Sequence, residues 1–572
     1  MDEAEPGLGV PRPMDVRPDN PLIVQSDHTV LLEVDGPRYP DARDALAVFA
    51  ELIKSPEHIH TYRITPLSIW NAAAAGHGPG EMSGALQEFA KYPVPSNVLR
   101  DIEDYAARYG RVRLLKEGDL LLLEADDATL VTEAWSASAV RRYLKGRLSP
   151  TRLEVDPAMR GHVKQAMVRL GHPVEDLAGY VEGGPLELDL LPVAASGRPF
   201  ALRRYQSSAV DAFWAGGSVK GGSGVIVLPC GAGKTVVAMG VMAKVRRKTL
   251  ILTTNLTAVR QWQDELRDKC RIDPGDIGEY TGERKDIRAV TVSTYQILTY
   301  RRSKTEGFVH FGLFSGNDWG LILYDEVHLL PAPVFRITAE IQATRRLGLT
   351  ATLVREDGKE EDVFTLIGPK RCDVPWKLLE KQGFIAAASC TEVRIPMEED
   401  DRMRYAGSDR RQKFRIASEN RRKFDTLLRV LKRHDQDLVL VIGQYVRQLH
   451  QIAAITQAPL ITGKTPNDER ADLYRRFRSG ELRRLIVSKV GNFAIDLPDA
   501  NVLVQVSGTF GSRQEEAQRL GRILRPKEGN GQAHFYSLVT RDTLDQDFAQ
   551  NRQLFLTEQG YSYSILDDRE VR

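Results

Sequence analysis

Cysteine is scarce in this chain, with four residues among 572. They are Cys230, Cys270, Cys372 and Cys390, and no two of them form a CxxC pair. Structural zinc sites and disulfide frameworks use clustered cysteines, and an iron–sulfur cluster needs a group of about four. The sequence therefore argues against a structural zinc site, a disulfide framework and an iron–sulfur cluster.

Long hydrophobic runs are also missing. No stretch is apolar over the length that a membrane span requires, and the acidic start Met1–Glu5 lacks the basic and apolar regions of a signal peptide. We therefore expect a protein that makes no membrane contact and works in the reducing cytoplasm.

A large excess of either charge is absent as well. Lysine and arginine number 79 against 77 aspartate and glutamate residues, a formal net charge of +2. Any nucleic-acid surface must then be a local patch. The chain is long and rich in apolar residues. Its 572 residues, 42% of them hydrophobic, suffice for three or four packed domains.

The segment 224–235, GVIVLPCGAGKT, places a hydrophobic run directly before a glycine-rich turn and a helix-like segment at 236–246. Backbone N–H groups in such a turn approach phosphate oxygens, and the helix N-terminus favours the anion. Lys234 supplies a positive charge for the β and γ phosphates, and Thr235 offers its hydroxyl to Mg²⁺. Leu228 stands where the strict phosphate-loop pattern has its first glycine. The predicted phosphate loop comprises Pro229, Cys230, Gly231, Ala232, Gly233, Lys234 and Thr235.

A second segment has the chemistry to complete this site. The apolar run 321–324 predicts a buried parallel strand, and it ends in Asp325-Glu326-Val327-His328. Carboxylates that leave the C-terminal edge of a parallel sheet face the same crevice as the phosphate loop. We expect Asp325 to hold Mg²⁺ through water and Glu326 to polarise the water that attacks the γ phosphate. The alternative is a solvated acidic turn, which the upstream phosphate loop disfavours.

A third group lies far downstream, where Gln518, Arg522 and Arg525 are spaced to share one face of a helix. A guanidinium beside the γ phosphate neutralises charge that develops during phosphoryl transfer, an effect worth roughly three to five powers of ten in rate. The alternative for an arginine-rich helix is a solvated or acid-paired surface.

In this order, the phosphate loop, the DEVH segment 325–328, Thr350-Ala351-Thr352 and the helix at 518–525 resemble a superfamily 2 helicase. In that family two RecA-like domains hold ATP between them. The segment 349–357 is similar to the XPB (xeroderma pigmentosum group B) branch, which carries an Arg-Glu-Asp triplet, here Arg355-Glu356-Asp357. The likeness runs from about residue 201 to 541.

The resemblance implies further nucleotide contacts. Segment 202–206 is similar to an adenine-reading Q motif, which assigns Arg203 and Gln206 to the nucleotide. Segments 488–491, 496–498 and 511–519 continue the likeness, and Asp496 is implied as another contact to the nucleotide.

The implied fold class is α/β, with two tandem RecA-like parallel α/β motor domains preceded by an α+β N-terminal region. Alternating apolar strands and helical stretches agree with it. In the N-terminal region we predict a hairpin at 22–34, helices at 42–54 and 97–109, and a module at 152–192 that resembles a damage-recognition domain. The predicted limits are 1–195 for the N-terminal region, 196–381 and 382–548 for the motor domains, and 549–572 for a C-terminal tail.

Related helicases hold DNA on the face opposite the ATP cleft, where small polar residues contact the phosphodiester backbone. The triplet at 355–357 is implied beside the same path. A basic insertion at about 400–420 matches a thumb-like element of XPB and is predicted to clamp DNA by charge, its alternative being a solvated, mobile surface loop. The predicted DNA contacts are Thr254, Gln261, Thr281, Gly282, Thr294, Tyr295, Thr462 and Gly463, together with Arg402, Arg404, Arg410 and Arg411 of the insertion.

The resemblance implies an ATP-dependent DNA helicase or translocase with 3′-to-5′ polarity that acts in DNA repair. Its cofactors are then ATP and Mg²⁺, with Mn²⁺ as a substitute, and its partners are DNA at single-strand/duplex junctions and a nuclease or another repair protein. One alternative is a double-stranded DNA translocase or RNA helicase of a neighbouring branch, although DEVH and Gln518 disfavour the DEAD-box RNA class. Another is a nucleotide-switched scaffold subunit of a repair or transcription assembly, which Lys234, Glu326 and the two arginines together disfavour.

Overall fold

The computed structural model describes residues 16–54, 58–229, 231–302, 309–310, 312–341, 344–351, 360–374, 376–384, 386–488, 500–508, 532–558, 561 and 563–571. The chain separates into two compact units, Met1–Ala107 and Arg108–Arg572. Among the helices in those ranges, none has the length and apolarity to cross a membrane.

The first unit contains an antiparallel sheet in the order β1-β2-β4-β3. The predicted hairpin is confirmed, and its turn has Asp27 accepting a hydrogen bond from the Thr29 N–H at 3.0 Å. The helix at 97–109 is also confirmed. The helix at 42–54 is wrong beyond Leu46, because residues 51–54 form an edge strand in which Leu52 is buried. The elements are β1 (Leu22–Val24), β2 (Thr29–Glu33), α1 (Tyr39–Leu46), β3 (Glu51–Lys54), β4 (Ile59–Arg63), α2 (Pro66–Ala74), α3 (Pro79–Phe89) and α4 (Ser96–Arg108).

The second unit begins with a five-stranded module in the order β7-β8-β6-β5-β9. The predicted start of a module at 152 falls inside this sheet, because β8 starts at Arg152 and pairs with β6, and the likeness of 152–192 to a damage-recognition domain stays a prediction. The module's elements are β5 (Val112–Glu117), β6 (Leu120–Ala125), α5 (Ala128–Ser136), α6 (Ser138–Arg141), β7 (Leu144–Ser149), β8 (Arg152–Val155), α7 (Arg160–Arg169) and β9 (Val174–Asp176).

A seven-stranded parallel sheet follows, in the order β14-β15-β12-β16-β17-β11-β18. Its inner strands are buried on both faces, as parallel strands usually are. Along β11, Val225 and Val227 face one core while Ile226 and Leu228 face the other. We call the surrounding structure the first α/β domain. Its elements are β10 (Asp189–Leu190), α8 (Arg204–Trp214), β11 (Ser223–Val227), α9 (Lys234–Val245), β12 (Thr249–Thr253), α10 (Leu256–Lys269), β13 (Cys270–Arg271), β14 (Ile277–Tyr280), β15 (Val290–Thr294), α11 (Tyr295–Leu298), α12 (Gly312–Ser315), β16 (Leu321–Asp325), α13 (Ala332–Glu340), β17 (Arg345–Thr350), α14 (Glu360–Leu366), β18 (Lys370–Asp373) and α15 (Trp376–Lys381).

A second seven-stranded parallel sheet forms the second α/β domain, in the order β21-β22-β20-β23-β24-β19-β25. A fully buried ion pair joins Lys423 to Asp545 at 2.7 Å and holds the last helix of this domain against its core. The elements are β19 (Ala388–Ile395), α16 (Glu399–Ala406), α17 (Arg410–Ser418), α18 (Arg422–Arg433), β20 (Val439–Gly443), α19 (Val446–Thr456), β21 (Leu460–Ile461), α20 (Asn467–Arg478), β22 (Arg484–Ser488), β23 (Val502–Gln505), β24 (Ala533–Thr540), α21 (Leu544–Glu558) and β25 (Tyr563–Asp567).

The two parallel sheets share one topology. When the strands of each sheet are numbered in chain order, both sheets read 3-4-2-5-6-1-7. This repeat confirms the predicted fold class of two tandem parallel α/β domains. The predicted tail at 549–572 needs correction, because that segment continues α21 and then adds β25 to the second sheet beside β19.

A buried ionic cluster inside the five-stranded module lies beside the contact of this module with the first α/β domain. Asp176 accepts hydrogen bonds from the Arg160 guanidinium at 2.6 and 3.0 Å and from the Lys164 ammonium at 2.9 Å. Nearby, the Tyr180 hydroxyl donates to Ser223 Oγ on β11 at 3.0 Å, and Arg346 of β17 lies 6.0 Å from the Tyr180 ring. Burial alone would raise the pKa of Asp176, but Lys164 and Arg160 hold that pKa below its ordinary value.

We expect Asp176→Asn to lower the free energy of unfolding of the module by about 3–5 kcal/mol, because two buried cations lose their counter-charge. Since the folded pKa of Asp176 is depressed, its contribution is complete above the ordinary pKa of 3.8 and is lost as the pH falls below it. Hydrogen exchange of the α7 and β9 amides in the full-length protein, at pH 7 and at lower pH, measures both effects.

Asp126→Asn in the same module is the matched control for Asp176→Asn. Asp126 pairs with Arg113 on the surface, so its loss should cost about 0–1 kcal/mol. Equal effects of the two substitutions would contradict a structural role for the buried cluster.

Candidate active site

The predicted phosphate loop follows β11 and leads into α9. Gly231 and Gly233 have φ angles of +81° and +82°, which glycine adopts without strain. A side chain at Gly233 would place its Cβ 2.6 Å from the Gln206 amide nitrogen. Gly233 is also the residue that precedes the first turn of α9, so the backbone N–H groups of that turn face the loop. Backbone geometry therefore favours glycine at both positions, and the close approach of Gln206 also excludes a side chain at Gly233.

The segment assigned to the Q motif supports this loop directly. The Gln206 amide nitrogen donates to the Ala232 carbonyl at 2.9 Å, and the Tyr205 hydroxyl donates to the same oxygen at 2.7 Å. Gln206 Oε1 accepts from the Arg203 backbone N–H at 2.9 Å. The Arg203 guanidinium lies over the Phe384 ring, 4.6 Å from its centroid. The structure thus gives Gln206 a role in shaping the loop, and its contact to adenine stays a prediction.

Leu228, the departure from the strict phosphate-loop pattern, has a structural explanation. Its side chain is fully buried in the core, and its backbone N–H donates to the Thr350 carbonyl at 3.0 Å. The position therefore continues β11 beside β17 and does not belong to the turn.

The DEVH segment meets the phosphate loop because β17 lies between β11 and β16, and all three strands are parallel. Their carboxyl ends are therefore neighbours at one edge of the sheet. The Lys234 ammonium is hydrogen-bonded to the Glu326 carboxylate there. Glu326 has φ +50° and ψ +55°, a left-handed conformation that costs a non-glycine residue about 1–3 kcal/mol and that clusters at functional sites.

The two carboxylates have opposite electrostatic environments. Burial and the neighbouring Glu326 charge raise the pKa of Asp325 to about 6. Burial alone would also raise the pKa of Glu326, but the Lys234 ammonium and His328 outweigh it and lower this pKa. Glu326 is therefore held ionised at neutral pH, as a group that polarises water must be. A divalent cation beside Asp325 would favour its ionised form in the same way.

His328 and Thr350 connect the DEVH segment to the strand between the two loops. His328 Nδ1 and the Thr350 hydroxyl are hydrogen-bonded at 2.7 Å, and both side chains are buried. The same imidazole nitrogen lies 3.5 Å from Glu326 Oε2. His328 thus links the Glu326 carboxylate to Thr350, the first residue of the Thr350-Ala351-Thr352 segment.

Trp262 was not among the predicted site residues. Its indole N–H donates to Asp325 Oδ2 at 2.9 Å from within α10, and the side chain is 2% exposed. A signal was available, because Val259, Trp262 and Leu266 recur at helical spacing on the buried face of α10. A buried indole N–H needs an acceptor, so a tryptophan on such a face predicts a polar partner. Only the strand order reveals which partner it is.

The donor set fits a magnesium ion bound with a nucleotide. Thr235 offers a hydroxyl and Asp325 a carboxylate, and Mg²⁺ in nucleotide sites takes one or two such protein oxygens together with phosphate oxygens and water. No group of three or more His, Cys, Asp or Glu side chains is arranged to hold a metal among the residues that the structure describes.

Comparison with known proteins gives the same picture. Three family models match the chain: ERCC3/RAD25/XPB C-terminal helicase at residues 379–571, Helicase conserved C-terminal domain at 22–149, and Type III restriction enzyme, res subunit at 199–355. The DNA 3'-5' helicase XPB of Kineococcus radiotolerans is 52% identical over 554 residues, 97% of each chain. That of Mycobacterium tuberculosis is 53% identical over 550 residues, 96% of this chain and 98% of the relative. The chain belongs to the XPB helicase family.

A more distant XPB relative is the General transcription and DNA repair factor IIH helicase/translocase subunit XPB of Antonospora locustae. It is 33% identical over 563 residues, which cover 95% of this chain and 81% of the relative.

The positions that the XPB resemblance assigns to DNA differ in exposure. Gln261, Gly282 and Gly463 are exposed, and no atom lies within 4 Å of where a Cβ would stand on Gly282. Thr254 and Thr462 are half-buried. The exposed positions fit a phosphodiester contact, which stays a prediction.

The other three assigned side chains are buried and bonded inside the domain. The Thr281 hydroxyl donates to Glu279 at 2.7 Å, and the Thr294 hydroxyl accepts from the Ile297 N–H at the start of α11. The Tyr295 hydroxyl donates to the Asp325 carbonyl at 2.9 Å. Each of these hydroxyls has a partner within the domain, and a DNA contact at these three positions stays a prediction.

The basic insertion forms two helices, α16 and α17, so it is not the surface loop of the alternative, and its clamping of DNA by charge stays a prediction. The Phe414 ring of α17 packs edge-to-face on Phe548 of α21, with 4.9 Å between centroids. The predicted DNA-binding residues on these helices are all exposed: Arg402, Arg404, Arg410 and Arg411.

Some predicted residues lie outside the described part of the chain and stay predictions. They belong to the phosphate loop, the Arg-Glu-Asp triplet and the second α/β domain. They are Cys230, Arg355, Glu356, Asp357, Asp496, Gln518, Arg522 and Arg525.

Proposed function

We propose that this protein is an ATP-dependent DNA helicase or translocase that moves with 3′-to-5′ polarity and acts in DNA repair. The observation that carries the proposal is the meeting of Lys234, Asp325 and Glu326 at the carboxyl ends of neighbouring parallel strands. Full-length similarity to proteins named DNA 3'-5' helicase XPB supports DNA as the partner. We place this DNA at single-strand/duplex junctions, and a nuclease or other repair protein as partner stays a prediction.

ATP binding follows from the loop. Backbone N–H groups at the start of α9 and the Lys234 ammonium bind the phosphates, and Thr235 and Asp325 hold Mg²⁺, for which Mn²⁺ is a substitute. The ion supplies charge that stabilises the phosphoryl group as it is transferred. Lys234 is hydrogen-bonded to Glu326, so phosphates that draw the ammonium towards them release the Glu326 carboxylate to polarise the attacking water.

Movement follows from the two domains. Gln518, Arg522 and Arg525 are proposed to approach the γ phosphate from the second α/β domain when the domains close around ATP, and to leave it after hydrolysis. Each cycle then changes the separation of two groups of DNA contacts, one on each domain. Such a cycle converts hydrolysis into steps along the phosphodiester backbone.

Phosphate release with and without a forked DNA duplex tests the proposal. We expect DNA to raise the rate of ATP hydrolysis and ATP to drive unwinding of a duplex that the protein enters along a 3′ single-stranded tail. An RNA duplex of the same sequence should do neither. Equal activity on the RNA duplex would overturn the proposal. So would a rate of ATP hydrolysis that DNA does not change, combined with no strand displacement.

The triplet Arg355-Glu356-Asp357 provides a separate prediction. Its replacement by three alanines should leave hydrolysis without DNA nearly unchanged, since none of the three is proposed to contact nucleotide. Strand separation per ATP should fall roughly tenfold, the effect of losing one or two charge-assisted hydrogen bonds. The measurement is unwinding of a forked DNA duplex normalised to ATP consumed.

A triplet of the same composition offers the control. Asp568-Arg569-Glu570 lies at the end of the second α/β domain, and its replacement by alanines should leave the ratio of strands separated to ATP consumed unchanged. An unchanged ratio in the 355–357 variant as well would make that triplet an ordinary surface turn.

A further inference from the structure

Two buried aromatic side chains converge on Asp325 from outside the nucleotide loops. The Trp262 indole N–H donates to the Asp325 carboxylate at 2.9 Å, and the Tyr295 hydroxyl donates to the carbonyl of the same residue at 2.9 Å. Their side chains are 2% and 4% exposed. One aromatic residue therefore orients the carboxylate of Asp325, and the other fixes its backbone.

Both residues belong to segments that the family resemblance assigns to DNA. Trp262 lies on α10 directly after Gln261, and Tyr295 opens α11 directly after Thr294. Gln261 beside Trp262 and Gln296 beside Tyr295 are exposed, while both aromatic rings and Thr294 are buried. The same short segments thus have one end at the predicted DNA path and the other at Asp325.

The two segments are tied to each other. Their strands, β12 and β15, pair in register at Thr253 and Thr294. The Gln296 amide donates to the Thr254 carbonyl at 2.7 Å, across the gap between the two strand ends. A displacement of either segment is therefore expected to displace the other as well.

Helix α10 is a stiff link between its two ends. Its first turn is capped by Asn255, whose side chain accepts from the Ala258 N–H at 2.9 Å, and Val259 and Leu266 anchor it in the core. From Asn255 to Trp262 the helix rises about 10 Å. A small displacement of the capped end is carried to the indole because the turns between them are fully hydrogen-bonded.

We propose that Trp262 and Tyr295 are positioning residues that transmit DNA binding at these two segments to Asp325, and so to ATP hydrolysis. This inference rests on the proposed function. When DNA occupies the segments, the two hydrogen bonds set Asp325 in the orientation that holds Mg²⁺ for catalysis. Neither aromatic residue contacts the nucleotide, so they act on turnover and not on ATP affinity.

The experiment compares Trp262→Phe, Tyr295→Phe and the double variant with the unmodified full-length protein. Tyr295→Phe removes only the hydroxyl donor, whereas Trp262→Phe removes the indole donor together with part of the buried ring system and keeps an aromatic side chain. We expect the ratio of ATP hydrolysis with DNA to hydrolysis without DNA to fall roughly tenfold in the double variant, as for loss of a hydrogen bond to a charged group. The KM for ATP and the Kd for DNA should change by less than about threefold, because neither contact is removed.

Two controls separate coupling from general loosening of the domain. Trp319→Phe removes a buried indole N–H that donates to the Leu313 carbonyl at 2.7 Å, and Tyr324→Phe removes a buried hydroxyl bonded to Thr338 at 3.0 Å. Both side chains lie in the core that contains Tyr295, and their hydrogen bonds are to Leu313 and Thr338. They should leave the stimulation ratio unchanged, and a fall equal to that of the test variants would overturn the proposal.

The outcomes are distinguishable from failure of the proposed function. If DNA does not raise the rate of ATP hydrolysis by the unmodified protein, the proposed function is wrong, and so is the coupling that rests on it. If DNA stimulates the unmodified protein and the double variant equally, the coupling alone is wrong. Should Trp262→Phe fold poorly, Tyr295→Phe alone decides the question, since it removes one oxygen atom and no apolar surface.

Discussion

Glu326→Gln is expected to remove most ATP hydrolysis while ATP binding stays nearly intact. The amide keeps the shape of the carboxylate but cannot accept a proton from the attacking water, and loss of a general base typically costs 10²–10⁴-fold, or about 3–5 kcal/mol in the barrier. The lowered pKa of Glu326 fits this role, because the side chain is ionised at neutral pH. Single-turnover hydrolysis and titration with a fluorescent ATP analogue measure the two quantities.

Lys234→Ala should behave differently. Removing the ammonium weakens binding of the phosphates as well as turnover, and it also raises the pKa of Glu326 because that carboxylate loses its closest cation. The control for Glu326→Gln is Glu182→Gln, the same change at an exposed carboxylate that pairs with Arg247. It should leave ATP hydrolysis unchanged. Hydrolysis by Glu326→Gln at the rate of the unmodified protein would show that another group activates the water.

Arg522→Ala and Arg525→Ala form the second prediction of large effect. The arginine whose guanidinium reaches the γ phosphate should lower kcat by about 10³–10⁵-fold, since it neutralises charge that appears only in the transition state. ATP affinity should change far less, because Lys234 and the phosphate loop provide the ground-state contacts. Steady-state kcat and equilibrium nucleotide binding are the measurements.

The matched control for the two arginines is Arg476→Ala in the same α/β domain. Arg476 pairs with Glu481 at 2.6 Å on the surface, and its loss should leave both kcat and affinity unchanged. Full activity in the Arg522→Ala, Arg525→Ala double variant would remove both arginines from the mechanism and leave domain closure without its trigger.

Most of the first α/β domain was predictable because its signals are local. The hydrophobic run at 321–324 became β16, and the glycines of the phosphate loop have the left-handed backbone that their residue type suggests. Local signals also failed where pairing decided the outcome. Residues 51–54 continue a helical pattern in sequence, yet they form β3 because β4 offers a partner.

The finer geometry of the site could not be predicted. Trp262 and Asp325 are neighbours only because β12 and β16 are adjacent in the sheet, and strand order is a property of the whole domain. The left-handed backbone at Glu326 had no signal, since glutamate rarely adopts it. Tyr295 was assigned to DNA from its position in a motif, whereas its hydroxyl bonds to Asp325.

The strand order also has a consequence for synthesis of the chain. β19 enters the second sheet first, yet both of its neighbours, β24 and β25, come from the far end of the domain. At 5–20 residues per second, a ribosome needs roughly 7–30 s to make the roughly 140 residues between β19 and β24. For that time β19 emerges with two unpaired edges and an apolar face. We expect the nascent second domain to depend on chaperones more than on its own partial fold, because the strand that starts its sheet is among the last to be paired.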